Sequence, residues 1–179
     1  MASVLVPLAQ GCEELEAVTV IDLLRRAGID VVSAGLDDKP VIASRGVVIM
    51  PDTDLDTALA REYDMVVLPG GLPGADHLDS DQRIRELLKK MVQQGKYTAA
   101  ICAAPKVLYS TGLLENKKAT AYPGVLDALG AVSQGHAVVE DDTIITSRGP
   151  GTAMDFALTL IEKLLDKNKR DEVEQGLVR

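Results

Sequence analysis

Short apolar, β-branched runs alternate along this chain with longer stretches of helical period, the pattern of βαβ units around a mainly parallel sheet. Ser3 to Ala9 reads as a first strand. Glu13 to Ala27 reads as a helix closed by Gly28, with Arg25 and Arg26 in the last turn where positive charge suits the dipole. Asp30 to Ala34 follows as a second strand, and Val41 to Ala43 with Val47 to Met50 predicts a small hairpin through Ser44-Arg45-Gly46. Met65 to Leu68 has the continuous apolar character of a buried central strand, and Pro69 to Gly74 reads as a loop. A helix is expected over Ser80 to Gln94, capped by Gly95, and then a strand from Tyr97 to Ile101 that runs into Cys102. Beyond a helix at Pro105 to Ser110, strands are expected near Ala119 to Ala121, Ala137 to Val139 and Thr143 to Thr146, before a last helix from Thr152 to Leu165. The charged tail, Asp166 to Arg179, either frays or adds one short helix. Residues 1–179 are expected to form one α/β domain, a three-layer sandwich around a mainly parallel sheet.

The first helix departs from a single apolar stripe. Leu15, Ala17, Val18, Val20, Ile21, Leu23, Leu24 and Ala27 wrap most of its circumference, so it must be covered on two sides. The outer cover is either another helix of the same chain or a second subunit, and a homodimer is expected.

Composition narrows the function classes. A net charge of -8, 3% aromatic residues and no Trp remove both the basic footprint and the stacking platforms of a nucleic-acid binder. No apolar run approaches a bilayer span and the N-terminus lacks the basic region of a signal peptide, so no membrane role and a cytoplasmic address are expected. The two cysteines, Cys12 and Cys102, sit on different predicted turns and read as free thiols of a reducing compartment. With two His and no Cys/His pair at zinc spacing, no metal or cofactor is expected. No Gly-x-Gly-x-x-Gly follows the first strand, which disfavours a nucleotide binder.

In parallel sheets of this kind, sites form beyond the carboxyl ends of the strands. That rule brings together Gln10 to Glu16, Pro69-Gly70-Gly71 and Ile101-Cys102-Ala103. Cys102 stands at a strand-to-helix turn, where unpaired N–H groups favour a thiolate; the competing reading is a small buried hydrophobe. Gly70 and Gly71 allow close backbone approach and N–H groups turned towards developing negative charge, or form an ordinary turn. Glu16 lies on the helical face of Val20, Leu23 and Ala27 and is expected to point inward. A carboxyl desolvated beside a sulfur would have its pKa raised and could stay protonated. Cys12 sits beside Glu13 and Glu14, which disfavour its thiolate.

Five motifs in order, Gly11-Cys12-Glu13-Glu14-Leu15-Glu16, Asp22 to Gly28, Val67 to Gly71, Ala99 to Pro105 and Thr146 to Thr152, resemble the ThiJ/PfpI superfamily, in the branch of DJ-one and its YajL-like relatives. The resemblance spans Val4 to about Leu165. It implies a flavodoxin-like fold, a homodimer, and a nucleophilic Cys102 that is readily oxidised to the sulfinate. It also implies that Glu16 is the protonated carboxyl contacting the sulfur and that Gly71 and Ala103 supply backbone N–H groups. Arg45 and Arg26 match basic residues near the pocket and the dimer interface. Where many members carry a His near the cysteine this chain has Tyr122, so proton transfer falls to Glu16 or water. Ala103 stands where the protease branch has His directly after the nucleophile, which makes proteolysis an unsuitable reading. The implied activities are glyoxalase chemistry on small dicarbonyls and repair of glycated protein. The alternative is a non-enzymatic redox sensor or chaperone acting through Cys102 oxidation.

Overall fold

A computed structural model describes residues 1–179. The first strand, β1 (Ser3–Leu8), explains why its sequence is apolar on both faces. Val4, Val6 and Leu8 join a core layer with the first and last long helices, while Leu5 and Ala9 join the opposite layer. All five are inaccessible to solvent, the condition of a strand buried on both faces of a parallel sheet. Helix α1 (Glu14–Arg26) follows, then β2 (Asp30–Gly35), the hairpin β3 (Val41–Ile42) and β4 (Val48–Ile49), and β5 (Thr53–Asp54). The chain continues through α2 (Leu55–Ala58), β6 (Met65–Leu68), α3 (Gly74–Ser80), α4 (Gln82–Gln93), β7 (Tyr97–Ile101) and α5 (Pro105–Ser110). It closes with β8 (Val138–Asp141), β9 (Ile144–Ser147), α6 (Ala153–Leu164) and α7 (Lys167–Gly176).

The seven-stranded sheet has the order β5-β2-β1-β6-β7-β9-β8, and every pairing is parallel except β8 with β9. Helices α1 and α6 cover one face, with Val20, Leu24, Phe156 and Leu160 in the core. Helices α2 to α5 cover the other through Leu55, Leu78, Ile84, Leu88 and Val107. This is the expected flavodoxin-like three-layer sandwich.

Several boundaries differ from the sequence reading. The expected loop Pro69 to Gly74 ends in the first residue of α3, a helix the sequence reading did not anticipate, and the expected helix from Ser80 begins at Gln82 as α4. The two helices break at Asp81, whose extended backbone lets its carboxylate accept the Arg83 N–H at 2.9 Å as an N-cap. The short α2 starts in the same way, with Asp54 Oδ1 accepting from Thr57 N at 2.9 Å. Ala119 to Ala121 is not a strand. Both edges of β9 are taken by β7 and β8, so this segment makes one isolated bridge, Ala119 to Ser133, and Thr120 N–H turns to Thr146 Oγ1 at 2.9 Å. The charged tail is helical over α7, which packs on α6 through the buried Val173. No helix is long and apolar enough to cross a membrane.

Candidate active site

Strand order reverses at β1: the chain steps to β2 on one side and then, at β6, to the other. The crevice beyond the carboxyl ends of β1 and β6 is therefore the place where an open α/β sheet leaves room for a ligand. The loops after β1, β6 and β7 meet there. Glu13 N–H donates to Gly70 O at 2.9 Å, and Gly71 takes a positive φ of 86° against the backbone of Cys12 and Glu13. A Cβ on Gly71 would stand 2.4 Å from Glu13 N, so only glycine lets the two loops close.

Cys102 itself adopts a positive φ of 63°, a left-handed conformation that costs a non-glycine residue free energy and marks a sharp turn after a strand. Its backbone is held on both sides. The N–H donates to Ser147 O at 2.9 Å and the carbonyl accepts from Tyr122 N–H at 2.8 Å. Ser147 is in turn fixed by Thr152 Oγ1 at 2.7 Å. Cys102 is 8% exposed and lines a cavity of about 340 Å³.

Glu16 is completely buried on the inward face of α1. Its Oε2 accepts the Gly70 N–H at 2.7 Å, while Oε1 has no hydrogen-bond partner. Burial pushes its pKa from 4.5 to about 7, against the lowering by the Gly70 N–H and the Cys102 thiol. The expected inward orientation of Glu16 is what the geometry shows, and its burial favours the protonated form.

The sulfur corrects the simple helix-dipole expectation. Burial first, and then the Glu16 carboxylate, push its pKa up to about 12, while the N–H groups of Gly71 and Ala103 pull it down. Helix α5 starts three residues after Cys102 and has only six residues, so it supplies little field. The Glu16 contribution, however, exists only while Glu16 is ionised. Protonating Glu16 removes that contribution, so a thiolate forms here at least cost with the proton resting on Glu16, and the titrations of the two groups are coupled.

The cavity is lined by Gly71, Leu72, Cys102, Ala103, Tyr122, Val125 and Pro150 together with Glu13, Ser44 and Arg45. Tyr122 and Arg45 thus fall at the site, and Gly70 packs behind the sulfur. Arg26 does not. It lies ten residues beyond Glu16, about 15 Å along the helix, and pairs with Asp22 at 2.8 Å. Arg45 is positioned by Glu14, which accepts its backbone N–H at 2.9 Å and the Ser44 hydroxyl at 3.1 Å. Cys12 is buried and its pKa is pushed up to about 12 by burial and by Glu14, an inert thiol.

The family model described as the DJ-1/PfpI family matches residues 2–163. The chain belongs to the DJ-1/PfpI family. Within that family it is 44% identical to protein dj-1beta of Drosophila melanogaster, over 98% of this chain and 96% of the relative. It is 36% identical to the Caenorhabditis elegans protein named glutathione-independent glyoxalase DJR-1.2, over 98% and 95%. The chain spans less than half of the Arabidopsis thaliana DJ-1 homologs B and A, 41% and 46% of their lengths. Among solved structures, Drosophila DJ-1beta superposes with a TM-score of 0.94 at 44% identity, covering 99% of this chain and 97% of that one. The oxidized Toxoplasma gondii DJ-1 gives 0.93 at 40%, covering 99% and 98%.

Glu13 and Pro150 stand within the motifs read from the sequence, whereas sequence reasoning missed Ser44, Leu72 and Val125 as cavity walls. Only Ser44 carried a signal, as the polar residue before Arg45 in the predicted hairpin turn. Gly70 explains the Pro-Gly-Gly of this DJ-1/PfpI chain. A Cβ there would stand 2.7 Å from Cys102 Cβ and 2.8 Å from both Glu16 Oε2 and Ile101 O. Gly70→Ala is therefore expected to cost about 1–3 kcal/mol of stability and to slow iodoacetamide alkylation of Cys102. Unchanged melting temperature and alkylation rate would show that the three groups do not meet as described.

Proposed function

We propose that this chain is a cysteine-dependent, glutathione-independent glyoxalase acting on small dicarbonyls, with a related deglycase action on early glycation adducts of proteins. The observation that carries the reading is the buried Glu16 carboxyl, held by Gly70 beside the Cys102 turn and titrating near neutrality. The printed name of the nematode relative supports it.

The chemistry balances with these residues alone. The Cys102 thiolate adds to the aldehyde carbon of methylglyoxal, forming a C–S bond, and the carbonyl oxygen takes the proton of Glu16 with the Gly71 and Ala103 N–H groups facing the developing charge. Glu16, now a carboxylate, removes the hydrogen of that carbon and returns it to the adjacent carbon. The hydroxyl proton meanwhile passes to the neighbouring oxygen. The product is a lactoyl thioester, which water hydrolyses, breaking the C–S bond and releasing lactate and the thiol. Incubation with methylglyoxal is expected to give many lactates per chain, and peroxide treatment is expected to stop it. Stoichiometric peroxide uptake with no lactate would favour the alternative, a redox sensor or chaperone signalling through Cys102 sulfinate. The unpartnered Glu16 Oε1, which could hold a proton towards a sulfinate, and the oxidized state of the Toxoplasma relative speak for that second reading.

We also propose a homodimer. Leu15 and Val18 on the outer face of α1 are 51% and 49% exposed, and Ile42, Val48 and Met50 of the adjacent hairpin are 58%, 63% and 71% exposed. Glu14 ties the hairpin to α1, so these side chains form one apolar face suited to a two-fold contact with a second copy. The parent is expected to run near twice its 19.1 kDa in light scattering, and Val48→Asp with Met50→Asp to shift it to the monomer. A monomeric parent would remove the proposal. Two free thiols suit a reducing, cytoplasmic address.

A further inference from the structure

Tyr122-Pro123-Gly124-Val125 is a built turn. Val125 N–H donates to Tyr122 O at 3.0 Å, and Gly124 takes a φ of 86° after the proline, the signature of a type II turn. Both ends of the turn, Tyr122 and Val125, face the Cys102 cavity. The Tyr122 N–H on the Cys102 carbonyl sets the distance between turn and sulfur, and the ring rests against Gly149, where an added Cβ would meet Tyr122 Cδ2 at 3.5 Å. Leu72 and Pro150 add apolar lining to that of the turn, and Glu13, Ser44 and Arg45 line the same cavity with polar groups.

The cavity is larger than methylglyoxal needs. Its five non-hydrogen atoms take about 150 Å³ at the roughly 30 Å³ that liquid water gives each heavy atom. The cavity holds about 340 Å³. A methyl group leaves the apolar wall uncovered, whereas an aryl group attached to the same dicarbonyl covers it and stacks on the Tyr122 ring.

We propose that the Tyr122–Val125 turn, reaching over the Cys102 cavity with an aromatic ring, is a specificity element that selects dicarbonyls bearing an aryl or bulky apolar group over those bearing a methyl. This rests on the dicarbonyl reading above. Tyr122 is a positioning residue for the substituent, and the chemistry stays with Cys102 and Glu16.

The test is the ratio of initial-rate kcat/KM for phenylglyoxal over methylglyoxal in the parent, Tyr122→Phe, Tyr122→Ala and Val125→Ala chains. The parent is expected to favour phenylglyoxal by about tenfold or more, the scale on which apolar pockets discriminate. Tyr122→Ala is expected to lower that ratio about tenfold, chiefly through KM for phenylglyoxal. Tyr122→Phe keeps the ratio, and Val125→Ala lowers it by less. A parent that favours methylglyoxal, or an unchanged ratio in Tyr122→Ala, overturns the inference and leaves the dicarbonyl reading standing. A parent that converts neither compound overturns both.

Discussion

Replacing Cys102 by Ser is expected to lower lactate formation from methylglyoxal by at least about a thousandfold, because the cavity holds no other thiol to form the thioester intermediate. Cys12 cannot substitute: it is buried, inert, and absent from the cavity wall. Serine fits the space of the thiol, and the backbone hydrogen bonds of residue 102, its N–H to Ser147 O and the Tyr122 N–H to its carbonyl, do not involve its side chain. The fold is therefore expected to survive with a melting temperature near the parent's. The large effect arises because an alcohol beside Glu16 stays protonated where a thiol can pass its proton over. Activity within tenfold of the parent in a folded Cys102→Ser chain would mean that the sulfur is not the nucleophile.

Glu16→Gln is the second large effect, a loss of about 10²- to 10⁴-fold in kcat. Gln keeps an oxygen for the Gly70 N–H, so the hydrogen bond at 2.7 Å is retained while the proton carrier is lost. Stability moves the other way, and its pH dependence identifies the cause. Glu16 has a pKa of about 7 in the folded chain against an ordinary 4.5, so the folded state binds more protons than the unfolded state between those values. Its contribution is fully present below about 4.5 and is lost as pH rises through about 7, a change of up to about 3 kcal/mol. The Gln variant lacks this loss. Its melting temperature relative to the parent is expected to climb between pH 5 and pH 8, and a difference independent of pH would show that Glu16 ionises in the fold as it does in the unfolded chain.

Much of the architecture was legible because its signals are local. The both-face apolar run of β1, the Gly28 stop of α1 and the Pro-Gly-Gly after β6 each follow from the chemistry of a few neighbouring residues. The inward Glu16 was legible too, since its spacing to Val20 and Leu23 places it on the apolar face. What was not legible depends on partners distant in sequence. Ala119 to Ala121 has strand composition, yet the pairing of β8 with β9 leaves it no edge. Glu14 entered the sequence reading only as an acidic neighbour of Cys12 and instead holds the hairpin, because the Arg45 backbone folds back onto it. The high pKa of Cys102 was hidden for the same reason: burial and the facing carboxylate are tertiary facts, and they outweigh the short helix that the sequence displays. Arg26 was placed near the cavity by resemblance, while the helix rise carries it away.

The coupled titration of Cys102 and Glu16 is tested most directly by the pH dependence of iodoacetamide alkylation at Cys102, in the parent and in Glu16→Gln. A coupled pair loses its first proton near pH 7, and a fixed fraction of the singly protonated form carries the charge on sulfur. Parent reactivity is therefore expected to rise to a plateau near neutrality and again only at high pH, with the step near 7 absent from Glu16→Gln. A single step at the same pH in both chains, or a sulfur inert at every pH, would contradict it.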